Sequence, residues 1–161
     1  MNYFTEERLA NYISELQNGL GENGEGFDFM VHVIGDNATR EVLNAVEAHP
    51  NNDARHRCTH IELVSEADWP RFKQLGVIAD GQVAGDFAVD TSQAFQDMLA
   101  MVGPRGQDFV PIRSIKEAGG HVTLSSDWDV SDLNPFIGLI FFMLDGMPDY
   151  IPVRSRSCTC N

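Results

Sequence analysis

Short segments rich in aromatic and β-branched residues alternate with amphipathic segments along this chain. That alternation restricts the fold more than any other feature, because strands that alternate with helices pair in parallel through helical crossovers. Strands are predicted near residues 27–34, 57–61, 76–80 and 121–125. A first helix is predicted after Thr5, Glu6 and Glu7, with Leu9, Tyr12, Ile13, Leu16 and Leu20 at helical spacing. Asp36 or Asn37 is placed to cap a second, which carries Val42, Leu43 and Val46 and ends near His49 and Pro50. Ser65–Glu–Ala–Asp68 has the pattern of a capping box and opens a helix that stops at Gly76. Ala94, Phe95, Met98, Leu99 and Val102 share one face of a later helix. Ile112, Ile115 and Ala118 mark another, closed by Gly119 and Gly120, and a last apolar helix begins near Asn134–Pro135. The expected class is α/β with a parallel sheet.

The chain has 161 residues, enough to bury a core without staples. Its formal charge of -13 repels polyanions, so neither nucleic acid nor an anionic membrane surface is an expected partner. The apolar run Pro135 to Leu144 falls short of the roughly 20 residues of a membrane helix. The start of the sequence lacks the cationic and apolar pattern of a secretory signal, so a soluble cytoplasmic protein is expected. Cys58, Cys158 and Cys160 are too few and too unevenly spaced for a disulfide framework. Residues 154–161 are polar, basic and without pattern, which reads as a disordered or non-native tail after one domain over 1–153.

Three short motifs carry no chemistry in this context. Gly19–Leu–Gly–Glu–Asn–Gly24 matches a dinucleotide fingerprint, but a helix precedes it, a strand follows it, and Glu22 and Glu25 repel phosphate. Cys158–Thr–Cys160 lacks a partner pair. Asp127–Trp–Asp–Val–Ser–Asp132 lacks the central glycine and terminal glutamate of a calcium loop. Cys58 reads as a small core residue.

His32, His60 and Asp127 stand apart. Each lies at or just past the C-terminal end of a predicted strand, the functional edge of parallel α/β architectures. In the first strand Asp28, Met30 and His32 share a face opposite Phe27, Phe29, Val31 and Val33. In the last, Thr123, Ser125 and Asp127 oppose Val122 and Leu124. Shared parity and position are expected to bring the three residues together. Imidazole and carboxylate are ligands for zinc and similar ions. Singly, each residue equally suits a structural role: a hydrogen-bonded strand histidine, or a helix cap at Asp127. His49, His56 and His121 fall at element edges and read as surface residues.

Val31–His–Val–Ile–Gly–Asp36 resembles the H-x-x-G-D segment of the amidohydrolase superfamily, in its branch containing N-substituted formamide deformylase. Arg57–Cys–Thr–His60–Ile–Glu–Leu–Val64 resembles that branch's next histidine strand, and Trp69 to Val77 the helix and strand that follow. Ser126–Asp127–Trp128, with Asn134–Pro135 beyond it, resembles its S-D-W segment. The resemblance covers roughly residues 3–145. It implies part of a (β/α)₈ barrel, strands five to eight, from an enzyme that uses one or two divalent metals, usually zinc. By the same resemblance His32 and His60 are metal ligands, and Asp127 is both a ligand and the catalytic base.

The departures are specific. No H-x-H occurs in the chain, although the family has one on its first strand. The bridging residue of the fourth strand, often a modified lysine, is absent too, since Lys73 and Lys116 fall in predicted helices. Gln82 is followed by Val83 where the branch has Gln-Pro. A barrel needs at least about 200 residues. The expected function is therefore a piece of a metal-dependent amidohydrolase acting on a non-peptide C–N bond of a small amide, inactive alone. The alternative is a non-catalytic half-barrel module, and on either reading open sheet edges predict a homo-oligomer.

Overall fold

The structure, a computed structural model, describes residues 4–19, 25–83 and 93–144. The tail at 154–161, the C-x-C pair and most of the glycine-rich fingerprint lie outside the described residues, as does Leu20. Helix α1 spans Glu6–Gln17. The Thr5 hydroxyl accepts the Arg8 N–H at 3.3 Å, and Glu6 and Glu7 sit in the first turn, where the helix dipole favours anions.

Strand β1 is Met30–Val33, shorter than the predicted 27–34. Its N-terminal residues have other hydrogen-bond partners. Phe27 donates its N–H to the Leu16 carbonyl at 3.0 Å, and Phe29 donates its own to His56 Nδ1 at 3.1 Å. Helix α2, Asp36–Ala48, buries Thr39, Val42, Leu43, Ala45 and Val46. Its N-cap is Gly35, one residue before the predicted position, and the Gly35 carbonyl accepts the Thr39 N–H at 3.1 Å. Asp36 is the first helical residue instead.

Strand β2 is Arg57–His60. The expected capping box does not form: Ser65 makes no side-chain cap, and Glu66–Asp68 is a 3₁₀ turn leading into α3, Trp69–Leu75. Asp68 is drawn away by two guanidinium groups, with Arg40 Nη2 at 2.8 Å and Arg71 Nη1 at 2.9 Å. Gly76, at φ 68°, closes α3 in the left-handed conformation that glycine adopts without strain. Strand β3 begins at Ile78, where the N–H donates to the His56 carbonyl at 2.8 Å, and it runs Ile78–Gln82 against a predicted 76–80. Helices α4, Gln93–Val102, and α5, Ile112–Glu117, precede β4, His121–Ser125, and α6 is Pro135–Leu144.

The four strands form one parallel sheet in the order β1-β2-β3-β4. In register, Val31 pairs with Cys58, which pairs with Ala79; His32 pairs with Thr59, which pairs with Asp80. Side chains of one row point to one face. Val33, Cys58 and Ala79 therefore face the helices, and they are almost fully buried with Leu43, Phe72, Ile112 and Ile115. Close packing on that face requires Gly81, because a Cβ there would lie 2.5 Å from Ile112 Cδ1.

The chain divides into two compact units. The first comprises Met1–Gly81 and Val110–Thr123, and the second Gln82–Phe109 and Leu124–Asn161. In the second, the Asn134 side chain accepts the Phe136 N–H at 3.0 Å and so starts α6. Gly138 lets that helix approach Val83, 3.2 Å from where a Cβ would sit. Among the described residues no helix is long and apolar enough to cross a membrane.

His56 corrects the sequence reading, which placed it on the surface. It is buried at 3% exposure. Nδ1 accepts the Phe29 N–H, so Nε2 carries the proton, and it lies 2.9 Å from Gln17 Oε1. Burial lowers its pKa, against a smaller opposing pull from Asp28. Cys58 is buried as expected, and burial pushes its thiol up to about 12, so it is a packing residue with no thiolate chemistry.

Candidate functional site

The His32 and His60 rings stand side by side, centroids 4.0 Å apart and planes at 61°. Strand register alone would not produce this contact. His60 pairs with Val33 and Gly81, so regular pleating would turn its side chain toward the helices, opposite His32. The backbone changes direction at that point. His60 has φ 77° and Ile61 φ 51°, both in the left-handed region, where a β-branched residue is a true outlier. A φ of this sign carries the His60 Cβ across the chain and onto the face of His32. Shared parity, the sequence argument for this contact, is therefore corrected: strained backbone joins the two imidazoles. Ile61 and Leu63 N–H groups donate to the Val33 and Ile34 carbonyls at 2.9 and 3.0 Å, which ties the strained turn to the end of β1.

Two further polar features surround the pair. The His60 Nδ1 lies 3.2 Å from Glu62 Oε1, with both side chains near one-tenth exposed. In the register row of His32, one strand beyond Thr59, lies Asp80, 2% exposed on the sheet face away from the helices. The Thr59 hydroxyl donates to one of its oxygens at 2.8 Å and the Thr123 hydroxyl to the other at 2.5 Å. These bonds link β2, β3 and β4 through one carboxylate. The sequence reading missed Asp80 and Glu62. An acidic residue inside the predicted strand at 76–80 was the available signal for Asp80.

Asp127 belongs to the second unit and follows β4. Its backbone is also left-handed, at φ 54°, and its carbonyl accepts the Val130 N–H at 2.7 Å to close a tight turn. Two of the three sequence-selected residues thus occupy strained backbone, a conformation that concentrates at functional sites. As a donor set for a divalent ion, the paired imidazoles of the first unit are chemically suitable. Among the described residues, no three His, Cys, Asp or Glu side chains are grouped for a metal. The histidine pair by itself is two ligands, short of the three protein ligands of a catalytic zinc site.

The chain is 26% identical over 133 residues to the Arabidopsis thaliana protein LONG AFTER FAR-RED 3, covering 80% of this chain and 21% of that protein. It is 37% identical over 67 residues to YtcJ of Bacillus subtilis, 39% of this chain and 13% of that one. The chain thus spans about a fifth or less of the curated relatives it matches. A metal-dependent hydrolase from Pyrococcus furiosus superposes with a TM-score of 0.63 at 19% identity, over 88% of this chain and 27% of that structure. A Xaa-Pro dipeptidase gives 0.62 at 18%, over 90% and 34%. These structures share the fold, of which the sheet and helices here correspond to part of a barrel. The model of the amidohydrolase family matches residues 2–145, and the chain belongs to that family.

Proposed function

We propose that this chain supplies part of the active site of a metal-dependent amidohydrolase, with His32 and His60 as metal ligands and Asp127 as ligand and base. The observation that carries the reading is the contact of the His32 and His60 rings, 4.0 Å apart, at the ends of adjacent parallel strands. Zinc is the ion that two imidazoles and a carboxylate suit best. Held by His32, His60 and Asp127, such an ion would supply Lewis-acid chemistry, polarising a carbonyl and making a water more acidic, toward a pKa of about 7. The Asp127 carboxylate takes a proton from the attacking water and delivers it to the departing nitrogen, which leaves as an amine. The substrate class is a small N-substituted amide of the formamide type, with cleavage of a non-peptide C–N bond, in the cytoplasm. The chain contains no H-x-H pair, so the ligand set is incomplete and the chain alone is inactive.

The test is metal titration followed by complementation. Zinc should bind the isolated chain weakly, and His32→Ala and His60→Ala should each abolish that binding. Mixed with a partner half-barrel bearing H-x-H, the chain should hydrolyse N-substituted formamides. In that mixture Asp127→Ala should remove turnover. Full activity of Asp127→Ala would overturn the base assignment, and turnover by the isolated chain would overturn its dependence on a partner.

A second reading, a non-catalytic module that self-associates, draws on the exposed apolar side chains Phe136, Leu139, Ile140 and Met143 of α6. It predicts a homo-oligomer by light scattering and no zinc binding that depends on His32.

A further inference from the structure

We infer that Glu62 is a positioning residue that fixes the tautomer of His60, holding the proton on Nδ1 and leaving Nε2 as the lone-pair donor. The inference deepens the reading above and rests on it for the ligand role of His60. His60 Nδ1 and Glu62 Oε1 are 3.2 Å apart. A carboxylate only accepts hydrogen bonds, so the ring nitrogen facing it must carry hydrogen. A lone pair at Nδ1 would face the carboxylate's own lone pairs with almost no water between, because Glu62 is 7% exposed. In such a setting an unfavourable polar contact is felt nearly undiluted.

Glu62 is itself fixed. Its backbone carbonyl accepts the Val110 N–H at 2.8 Å, and the turn before it is tied to β1 through Ile61 and Leu63. The side chain therefore approaches His60 from a backbone that is anchored on both sides. A solvent-exposed neutral imidazole prefers its proton on Nε2, so the tautomer assigned here is the one that water alone would not select. A carboxylate partner also makes the opposite nitrogen more basic, and loss of such a partner typically weakens a metal site by about 10–100-fold.

The experiment is ¹⁵N NMR of the full chain with labelled histidine at pH 9, together with zinc titration at pH 7.5. The His60 signals are expected to show a protonated Nδ1 and a bare Nε2. Glu62→Leu should move the proton to Nε2 and weaken zinc binding by about 10–100-fold. Glu62→Gln retains an acceptor oxygen and should keep both the tautomer and most of the affinity. A merely structural carboxylate would change the melting temperature in Glu62→Leu without changing the tautomer. A wild-type His60 protonated on Nε2, as a neutral Glu62 donating to Nδ1 would require, would overturn the proposal. So would a doubly protonated ring, or an unchanged tautomer in Glu62→Leu. Absence of zinc binding in the wild type would instead overturn the ligand role, which separates the two failures.

Discussion

His56 Nδ1 accepts the backbone N–H of Phe29 at 3.1 Å, and through Nε2 the same ring reaches Gln17 of α1 at 2.9 Å. The ring holds the entry to β1 and the end of α1 only while neutral. Burial puts its folded pKa below the ordinary value of 6.5, so the unfolded chain takes up a proton at higher pH than the folded one. This contribution to stability is fully present above about 6.5 and is lost progressively as the pH falls from there to the folded value. Urea denaturation should show the wild type losing stability over that interval. His56→Gln should lose about 1–3 kcal/mol at pH 8 and show a flatter acid dependence.

Asp68 receives Arg40 and Arg71 at 2.8 and 2.9 Å while its own side chain is 3% exposed. Arg71 also reaches Glu47 at 2.7 Å, so α2 and α3 are joined through this cluster. Asp68→Ala should cost about 2 kcal/mol in chemical denaturation, a figure reduced from the fully buried case because Arg40 remains in contact with water. Asp68→Asn should cost less, since one acceptor oxygen survives.

Asp80 with its two threonines should behave as one group. Asp80→Ala leaves two hydroxyls without the carboxylate and should cost about 2 kcal/mol. Adding Thr59→Val and Thr123→Val to that variant should restore part of the loss, because those two hydroxyls are then no longer left without the carboxylate. Additive losses in the triple variant, measured by thermal melts, would contradict the network.

Gly81→Ala should cost about 1–3 kcal/mol, since its methyl would meet Ile112 Cδ1 at 2.5 Å on the buried face. Ile112→Val removes the nearer obstructing atom but keeps Cγ1, 2.7 Å from the added methyl, so it should recover only part of that loss. A double variant no more stable than Gly81→Ala would show that another neighbour sets the limit.

Periodicity exposed the strand–helix alternation because α2 and β1 each bury a regular face, visible as Val42, Leu43 and Val46 and as Val31 and Val33. Strand limits were less legible because they depend on distant partners. The Phe29 N–H is lost from the ladder to a histidine 27 positions away, while its carbonyl still accepts the Arg57 N–H of β2. His32 and His60 were legible as candidates from their place at strand ends. Their contact was not, because it depends on two left-handed residues at 60 and 61 rather than on parity. Glu62 and Asp80 were missed because an acidic residue shows its partners only once the chain has folded.

The left-handed backbone at His60 sets stability against the proposed metal chemistry at a single position. Strain of this kind costs on the order of 1–3 kcal/mol, and glycine or asparagine would relieve much of it. A library of this chain sorted only for heat resistance should therefore drift away from histidine at position 60. On the proposed ligand role of His60, selection for metal retention should restore it, so the two screens would enrich different residues at the same codon.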